Sequence, residues 1–353
     1  MGCMRSYLIA LLARVEREPR YRQLCEAGDA ESRHFVLKDA VTPLFIRFLA
    51  MDPESYSVDQ ILEAIDAEMS DLKPKVLLFD IGGVCVKSPF QVILDYELGL
   101  GIPPGWVNYS ISKSGPTGFW QQIERGDIPM DDAFFEGFTK DLHVQERWEE
   151  FYKTQQAKDP RLAKEIPPLP DIDGKWLFNE MLSGSGPDAY DPWMFPALQK
   201  LRDSGKYILA ALSNTVIFPP GHKLYQEDFF DEPVRQIFDI FISSAHVGIR
   251  KPDPKMYQLA LQKLNDFAKE NANDPRHQGK GWETGISPKD IVFLDDIGEN
   301  LKEARRQGFN TIKVHLGRTY EAVEELEKIT GLALEGPHPK IPIKPNYGPR
   351  AKI

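Results

Sequence analysis

Four short stretches of this chain carry polar side chains where apolar runs end. Asp80 follows "VLLF", Ser213 and Asn214 follow "ILAAL", and Asp295 and Asp296 follow "IVFL". Lys251 lies in "GIRKPDP", shortly after "DIFISS". These types suit phosphate chemistry. Carboxylates hold magnesium, which takes one or two of them together with water and substrate phosphate. A lysine neutralises phosphate and keeps a neighbouring aspartate ionised. A serine hydroxyl and backbone N–H groups donate to phosphate oxygens. An aspartate serves as a covalent nucleophile.

Residues so far apart in sequence can meet only if the fold gathers them. The runs at 75–80, 207–214, 239–244, 291–296 and 310–314 are apolar along their length and bounded by polar or turn residues. That pattern fits parallel strands buried on both faces. Helical stretches lie between them, at 196–205, 254–266 and 298–308, the last closed by Gly308. The alternation predicts an α/β fold with a doubly wound parallel sheet. In such sheets ligands bind at the carboxyl ends of the strands.

The chain from Asp80 to Ser213 is far longer than one crossover needs. Its middle is rich in aromatics: Trp106, Phe119, Trp120, Phe134, Phe135, Phe138, Trp148, Phe151 and Tyr152. We expect an inserted helical subdomain over 92–186, with most of these rings forming its core. The expected sheet domain then comprises 73–91 and 187–332. Residues 1–72 read as a helical N-terminal extension, in which "SVDQ" at 57–60 has a capping-box pattern. Residues 265–285 read as a helix end running into a polar surface insertion. Residues 333–353 read as a Pro-rich tail, extended or disordered.

With 353 residues, 42% of them hydrophobic, the chain can bury a sizeable core. A net charge of −10 argues against nucleic acid as a partner. Cys3, Cys25 and Cys85 are too few and too scattered for a disulfide framework or a zinc site, which fits a reducing, cytoplasmic compartment. No stretch approaches the length of a membrane span. "MGCMRS" matches a myristoylation pattern through Gly2 and Ser6, with Cys3 placed for a second lipid. The bland reading is a chance match; the alternative is peripheral membrane association through Gly2 and Cys3.

"FDIGGV" (79–84), "LSNT" (212–215), "VGIRKPDPKMYQLAL" (247–261) and "IVFLDDIGENLKEAR" (291–305) occur in that order, each near a predicted strand end. Together they resemble the four motifs of the haloacid dehalogenase superfamily. The branch they resemble includes the N-terminal phosphatase domain of soluble epoxide hydrolase. "FWQQIERGDI" (119–128) is similar to a cap-domain stretch of that branch. The resemblance covers roughly residues 75 to 320. It implies a Rossmann-like core, a C1-type helical cap and a Mg²⁺ cofactor. It also implies Asp80 as nucleophile and Ser213 as phosphoryl binder, with Asn214 nearby and the Gly83 turn among the substrate contacts. Lys251 would pair with phosphate and carboxylates. Asp80, the Gly82 carbonyl and Asp296 would ligate the metal, with Asp295 in the first or second shell.

One position departs from the family pattern. A second aspartate usually stands two residues after the nucleophile, and here that place holds Gly82. Its carbonyl is kept, but the general acid/base is lost. Such a group contributes about 10²–10⁴ in rate. The expected activity is therefore a Mg²⁺-dependent phosphatase acting on a small phosphorylated metabolite or lipid phosphate with a good leaving group. Glu124 is the first candidate for a substitute proton donor. Two alternatives stand beside this reading: a binding or regulatory protein without turnover, and a dehalogenase-like hydrolase, since haloacid dehalogenases also lack the second aspartate. Cys85 reads as a small buried hydrophobe and His246 as a structural histidine.

Overall fold

The computed structural model describes residues 74–183, 190–228 and 231–343. The helices predicted over 1–72, Gly2, Cys3 and Cys25 lie outside the described residues, as do 344–353.

All five apolar runs are strands, each within one residue of its predicted ends. They are β1 (Val76–Phe79), β2 (Ile208–Ser213), β3 (Ile240–Ser243), β4 (Ile291–Asp295) and β5 (Asn310–Lys313). They pair in parallel in the order β3-β2-β1-β4-β5. The direction of winding reverses at β1, so the crevice above β1 and β4 is where this topology places a ligand.

The runs are unbroken because both faces of the sheet are covered. Leu77, Phe79, Leu209, Ala211, Val292 and Leu294 form one core. It packs against α7 (Met194–Ser204) through Ala197, Leu198 and Leu201, and against α12 (Tyr320–Thr330) through Ala322, Val323 and Leu326. The alternate residues Val76, Leu78, Ile208, Ala210, Leu212, Ile291 and Phe293 form the other. It packs against α10 (Pro254–Asn271) through Met256, Tyr257 and Ala260, and against α11 (Gly298–Arg306) through Leu301 and Ala304. The one-turn helices α8 (Pro233–Gln236) and α9 (Ser244–Val247) precede and follow β3. Period-2 alternation divides each strand between two helical layers.

Among the described residues six helices lie between β1 and α7: α1 (Pro89–Gly99), α2 (Trp106–Ser114), α3 (Phe119–Glu124), α4 (Asp132–Leu142), α5 (Gln145–Lys158) and α6 (Gly174–Ser183). They share their own core, in which Trp106, Phe134, Phe138, Trp148, Phe151 and Tyr152 are buried, while Phe119, Trp120 and Phe135 are half-buried. A buried carboxylate organises its entry. Glu97 of α1 accepts from the backbone N–H groups of Gly105 and Val107, each at 2.7 Å, satisfying donors at the start of α2. Val216 and Phe218, in the loop after β2, pack onto the same core.

Two expectations need correction. Helix α10 continues to Asn271, and the segment after it is not wholly a surface excursion. Trp282 folds back and is buried against Phe267 and His277, because an indole of this size gains more from packing than from exposure. The described part of the tail is extended but anchored. Trp193 Nε1 donates to the Pro339 carbonyl at 3.1 Å, and Leu334 is buried. Among the described residues no helix is long and apolar enough to cross a membrane.

Candidate active site

Strand alternation alone brings two carboxylates together. Val76 and Leu78 of β1, and Ile291 and Phe293 of β4, face the α10 layer. The next residues in that alternation are Asp80 and Asp295. Phe79 is in register with Leu294, and Asp80 N–H donates to the Leu294 carbonyl at 2.9 Å. The two acids therefore emerge side by side.

Lys251 comes to them from the turn before α10. Asp253 caps that helix by accepting from Lys255 N–H, and Pro254 occupies its first position. The Lys251 side chain is fully buried. Its Nζ lies 2.9 Å from Asp80 Oδ2 and 2.7 Å from Asp295 Oδ2, and 5.3 Å above the centre of the Phe293 ring. Burial opposes its charge, but Asp295 and Asp80 hold the ammonium protonated above its ordinary range. Asn214 clasps its backbone: Lys251 N–H donates to Asn214 Oδ1 at 2.8 Å, and Asn214 Nδ2 donates to the Lys251 carbonyl at 3.1 Å. The Asn214 amide thus faces the Lys251 loop.

The adjacent acids differ sharply. Asp295 is saturated. Its Oδ1 accepts from Ile297 N–H at 2.7 Å, Asn300 Nδ2 reaches both oxygens at 3.1 and 3.0 Å, and Oδ2 takes Lys251. Among the described residues, Asp296 Oδ2 receives only a long 3.4 Å bond from Ser88 Oγ. Lys313 Nζ, at the end of β5, donates to the Asp296 carbonyl. Gly83, with φ of 77°, passes so close that a Cβ there would overlap the Asp296 carboxylate.

Oxygens of Asp80, Asp295 and Asp296 all lie within 4.8 Å of one another. Burial pushes the Asp80 carboxyl up to about 7, although Lys251 pulls it down. Burial, then Asp80 and Asp295, push Asp296 well above the carboxylate range. Three crowded acids thus face one buried ammonium, and an all-oxygen donor set with excess negative charge fits a hard divalent cation.

Ser213 is buried at the end of β2, its Oγ donating to the Asn214 carbonyl at 3.3 Å. Gly82 is open: a Cβ there would meet nothing nearer than Pro89 Cδ at 3.7 Å. Glu124 is committed elsewhere, its Oε2 accepting from Arg250 Nε at 2.6 Å. Cys85 is buried, with its Sγ 3.1 Å from the Asp80 carbonyl and its thiol pushed well up by burial, so it is not a reactive thiolate. His246 Nδ1 lies 2.6 Å from Ser243 Oγ, which in turn is 2.5 Å from Thr215 Oγ1.

Sequence reasoning missed Asn300, Lys313 and Ser88. Lys313 left a signal, as the one charged residue in the apolar run "NTIKV". Asn300 and Ser88 left none beyond their nearness to Asp295 and to the "FDIGGV" stretch.

A parallel α/β sheet with a helical insertion after its first strand, and an acid–lysine cluster at the strand ends, defines a class of hydrolase folds. The chain belongs to the haloacid dehalogenase-like hydrolase family, whose pattern residues 74–308 match. It is similar to acyl-CoA dehydrogenase family member 10 of Mus musculus, 28% identical over 260 residues that make up 74% of this chain and 19% of that protein. It is 39% identical to bifunctional epoxide hydrolase 2 of Mus musculus over 112 residues, 31% of this chain and 16% of that protein. The chain thus spans a fifth or less of these two relatives. A sesquiterpene phosphatase of Aspergillus oryzae is 23% identical over 257 residues, 73% of this chain and 97% of that protein.

Proposed function

We propose that this chain is a Mg²⁺-dependent phosphatase that works through an aspartyl-phosphate on Asp80. One observation carries the reading: a fully buried Lys251 bridges Asp80 and Asp295, while Asp296 beside them has carboxylate oxygens to spare. The similarity to a sesquiterpene phosphatase along nearly its whole length supports the same class of reaction.

In this reading Asp80, Asp296 and the Gly82 carbonyl would hold the metal, which would supply positive charge beside the phosphoryl group. Asp295 orients Lys251. Ile81 N–H, 2.7 Å from Asp80 Oδ1, and Lys251, on Oδ2, fix the rotation of the nucleophile. An Asp80 carboxylate oxygen forms a bond to phosphorus as the bond to the leaving oxygen breaks, and the leaving group departs with that electron pair. Lys251 and Ser213 Oγ hold the phosphoryl oxygens; the Gly83 N–H, expected among these contacts, instead donates to the Val86 carbonyl at 3.0 Å. Water then cleaves the acyl phosphate, releasing phosphate and restoring Asp80.

No carboxyl stands at position 82 to protonate the leaving oxygen. The substrates that suit the site therefore carry leaving groups that depart as stabilised anions: aryl, acyl or anomeric sugar phosphates. Gly82 also favours a second reading, displacement of halide from a haloacid by Asp80, which needs no metal. Phosphate release from an aryl phosphate with and without Mg²⁺ separates the two. Metal-dependent release supports the phosphatase; no phosphate release, with halide release from a 2-haloacid in metal-free buffer, overturns it.

A further inference from the structure

A second ion pair lies beside the cluster and takes no part in the steps above. Glu124 is the last residue of α3, in the helical insert, and Arg250 immediately precedes Lys251. Arg250 Nε donates to Glu124 Oε2 at 2.6 Å, and the Glu124 side chain is only 9% exposed. Two more contacts close the same seam. Ser244 Oγ, fully buried, donates to the Glu124 carbonyl at 2.5 Å. Gly126, with φ of 70°, approaches so closely that a Cβ there would lie 2.5 Å from the Ala245 carbonyl oxygen. Residues 124–126 of the insert are therefore fastened to residues 244–250 of the sheet domain.

Stability is a weak reason for such a pair. Withdrawing two charges from water costs about as much as their attraction returns. Its geometric consequence is stronger. The Lys251 ammonium must meet two carboxylates at once, at 2.9 and 2.7 Å. Its backbone is clasped by Asn214, and the Arg250 carbonyl just before it accepts from Asp253 N–H at 3.0 Å. Fixing the Arg250 side chain fixes the second of these supports.

We propose that Glu124 and Arg250 are positioning residues that couple the seating of the helical insert to the placement of Lys251 between Asp80 and Asp295. The kinetic part of this inference rests on the phosphatase reading; the structural part does not. Lifting the insert would separate Glu124 from Arg250 and loosen the loop that aims the lysine, so the cluster is fully assembled only when the insert is seated.

The test uses the full chain with Glu124→Gln, which is nearly isosteric, Arg250→Met, and the conservative Arg250→Lys. Two quantities are read: kcat and KM on an aryl phosphate with Mg²⁺, and hydrogen exchange at the Lys251 amide. The expected result for Glu124→Gln and Arg250→Met is a kcat lower by about tenfold to a hundredfold, as a misplaced catalytic group gives, with KM within about twofold. Exchange at Lys251 should rise in both, and Arg250→Lys should restore most of kcat and protection. Folded variants with wild-type exchange at Lys251, or with a change in KM alone, overturn the proposal. If the wild type shows no turnover the phosphatase reading fails, and exchange alone decides: faster at Lys251 supports the coupling, unchanged contradicts it.

Discussion

Lys251 and Asp295 form an ion pair from which solvent is wholly excluded, with Nζ 2.7 Å from Oδ2 and neither side chain exposed. Removing one partner of such a pair leaves an uncompensated buried charge, at a cost of about 3–5 kcal/mol. Lys251→Met should therefore lower stability by about that amount, read by urea denaturation, and reduce phosphate release to background. A variant as stable as the wild type would contradict this account of the cluster.

Gly82 has room for a side chain and does not have a left-handed backbone. Gly82→Asp should therefore fold. It should raise kcat/KM for an alkyl phosphate by up to about 10²–10⁴, the usual range for a general acid/base. Aryl phosphate turnover should change little, because that leaving group hardly needs the proton. Equal gains on both substrates would show that the glycine is not what limits leaving-group choice.

Metal binding should release protons. Without metal, burial holds the Asp80 carboxyl up to about 7, so below that pH a proton must leave before the carboxylate can ligate. Apparent Mg²⁺ affinity should fall toward acid pH by at least about tenfold per pH unit below 7, because burial holds Asp296 up as well. Calorimetry at pH 6.5 in buffers of different ionisation enthalpy measures the release directly. Affinity that is flat or rises toward acid pH would count against the assignment.

Glu97 gives a pH effect remote from the metal cluster. Burial raises its carboxyl from 4.5 to about 7, outweighing its bonds to Gly105 and Val107 N–H. Between those values the folded chain holds more protons than the unfolded one, so this contribution to stability is complete below about pH 4.5. It is lost as pH rises through 7, with a slope of at most about 1.36 kcal/mol per unit. Thermal midpoints of wild type and Glu97→Gln, compared across that range, isolate the effect: the variant should lack this part of the slope.

The strands were legible because parallel strands buried on both faces read as unbroken apolar runs, and the site was legible wherever such a run ends in a polar residue. Asp80, Ser213, Asp295 and Lys251 all follow from that rule and the motif order. The different surroundings of the two adjacent acids were not legible in the residues themselves; only the resemblance set Asp296 apart. Asp295 and Asp296 are neighbours of one type, and only Asn300 and the Ile297 N–H, arriving from α11 and the turn before it, make the first an internal anchor and leave the second open. Nor did the sequence show that Asn214 spends both ends of its amide on Lys251, or that Glu124 faces Arg250, since both pairings cross between elements. The extension of α10 was missed because Trp282, which covers its far end, lies in a segment that is otherwise polar.

If Asp80 carries the phosphoryl group, the group can be trapped there. The protein is incubated with acetyl phosphate and Mg²⁺, quenched in acid, digested and mapped by mass spectrometry. A single acid-stable, base-labile phosphoryl adduct on Asp80, absent from Asp80→Asn, is the expected result. Phosphate release by wild type without an adduct on Asp80, or with the adduct on another residue, would contradict it.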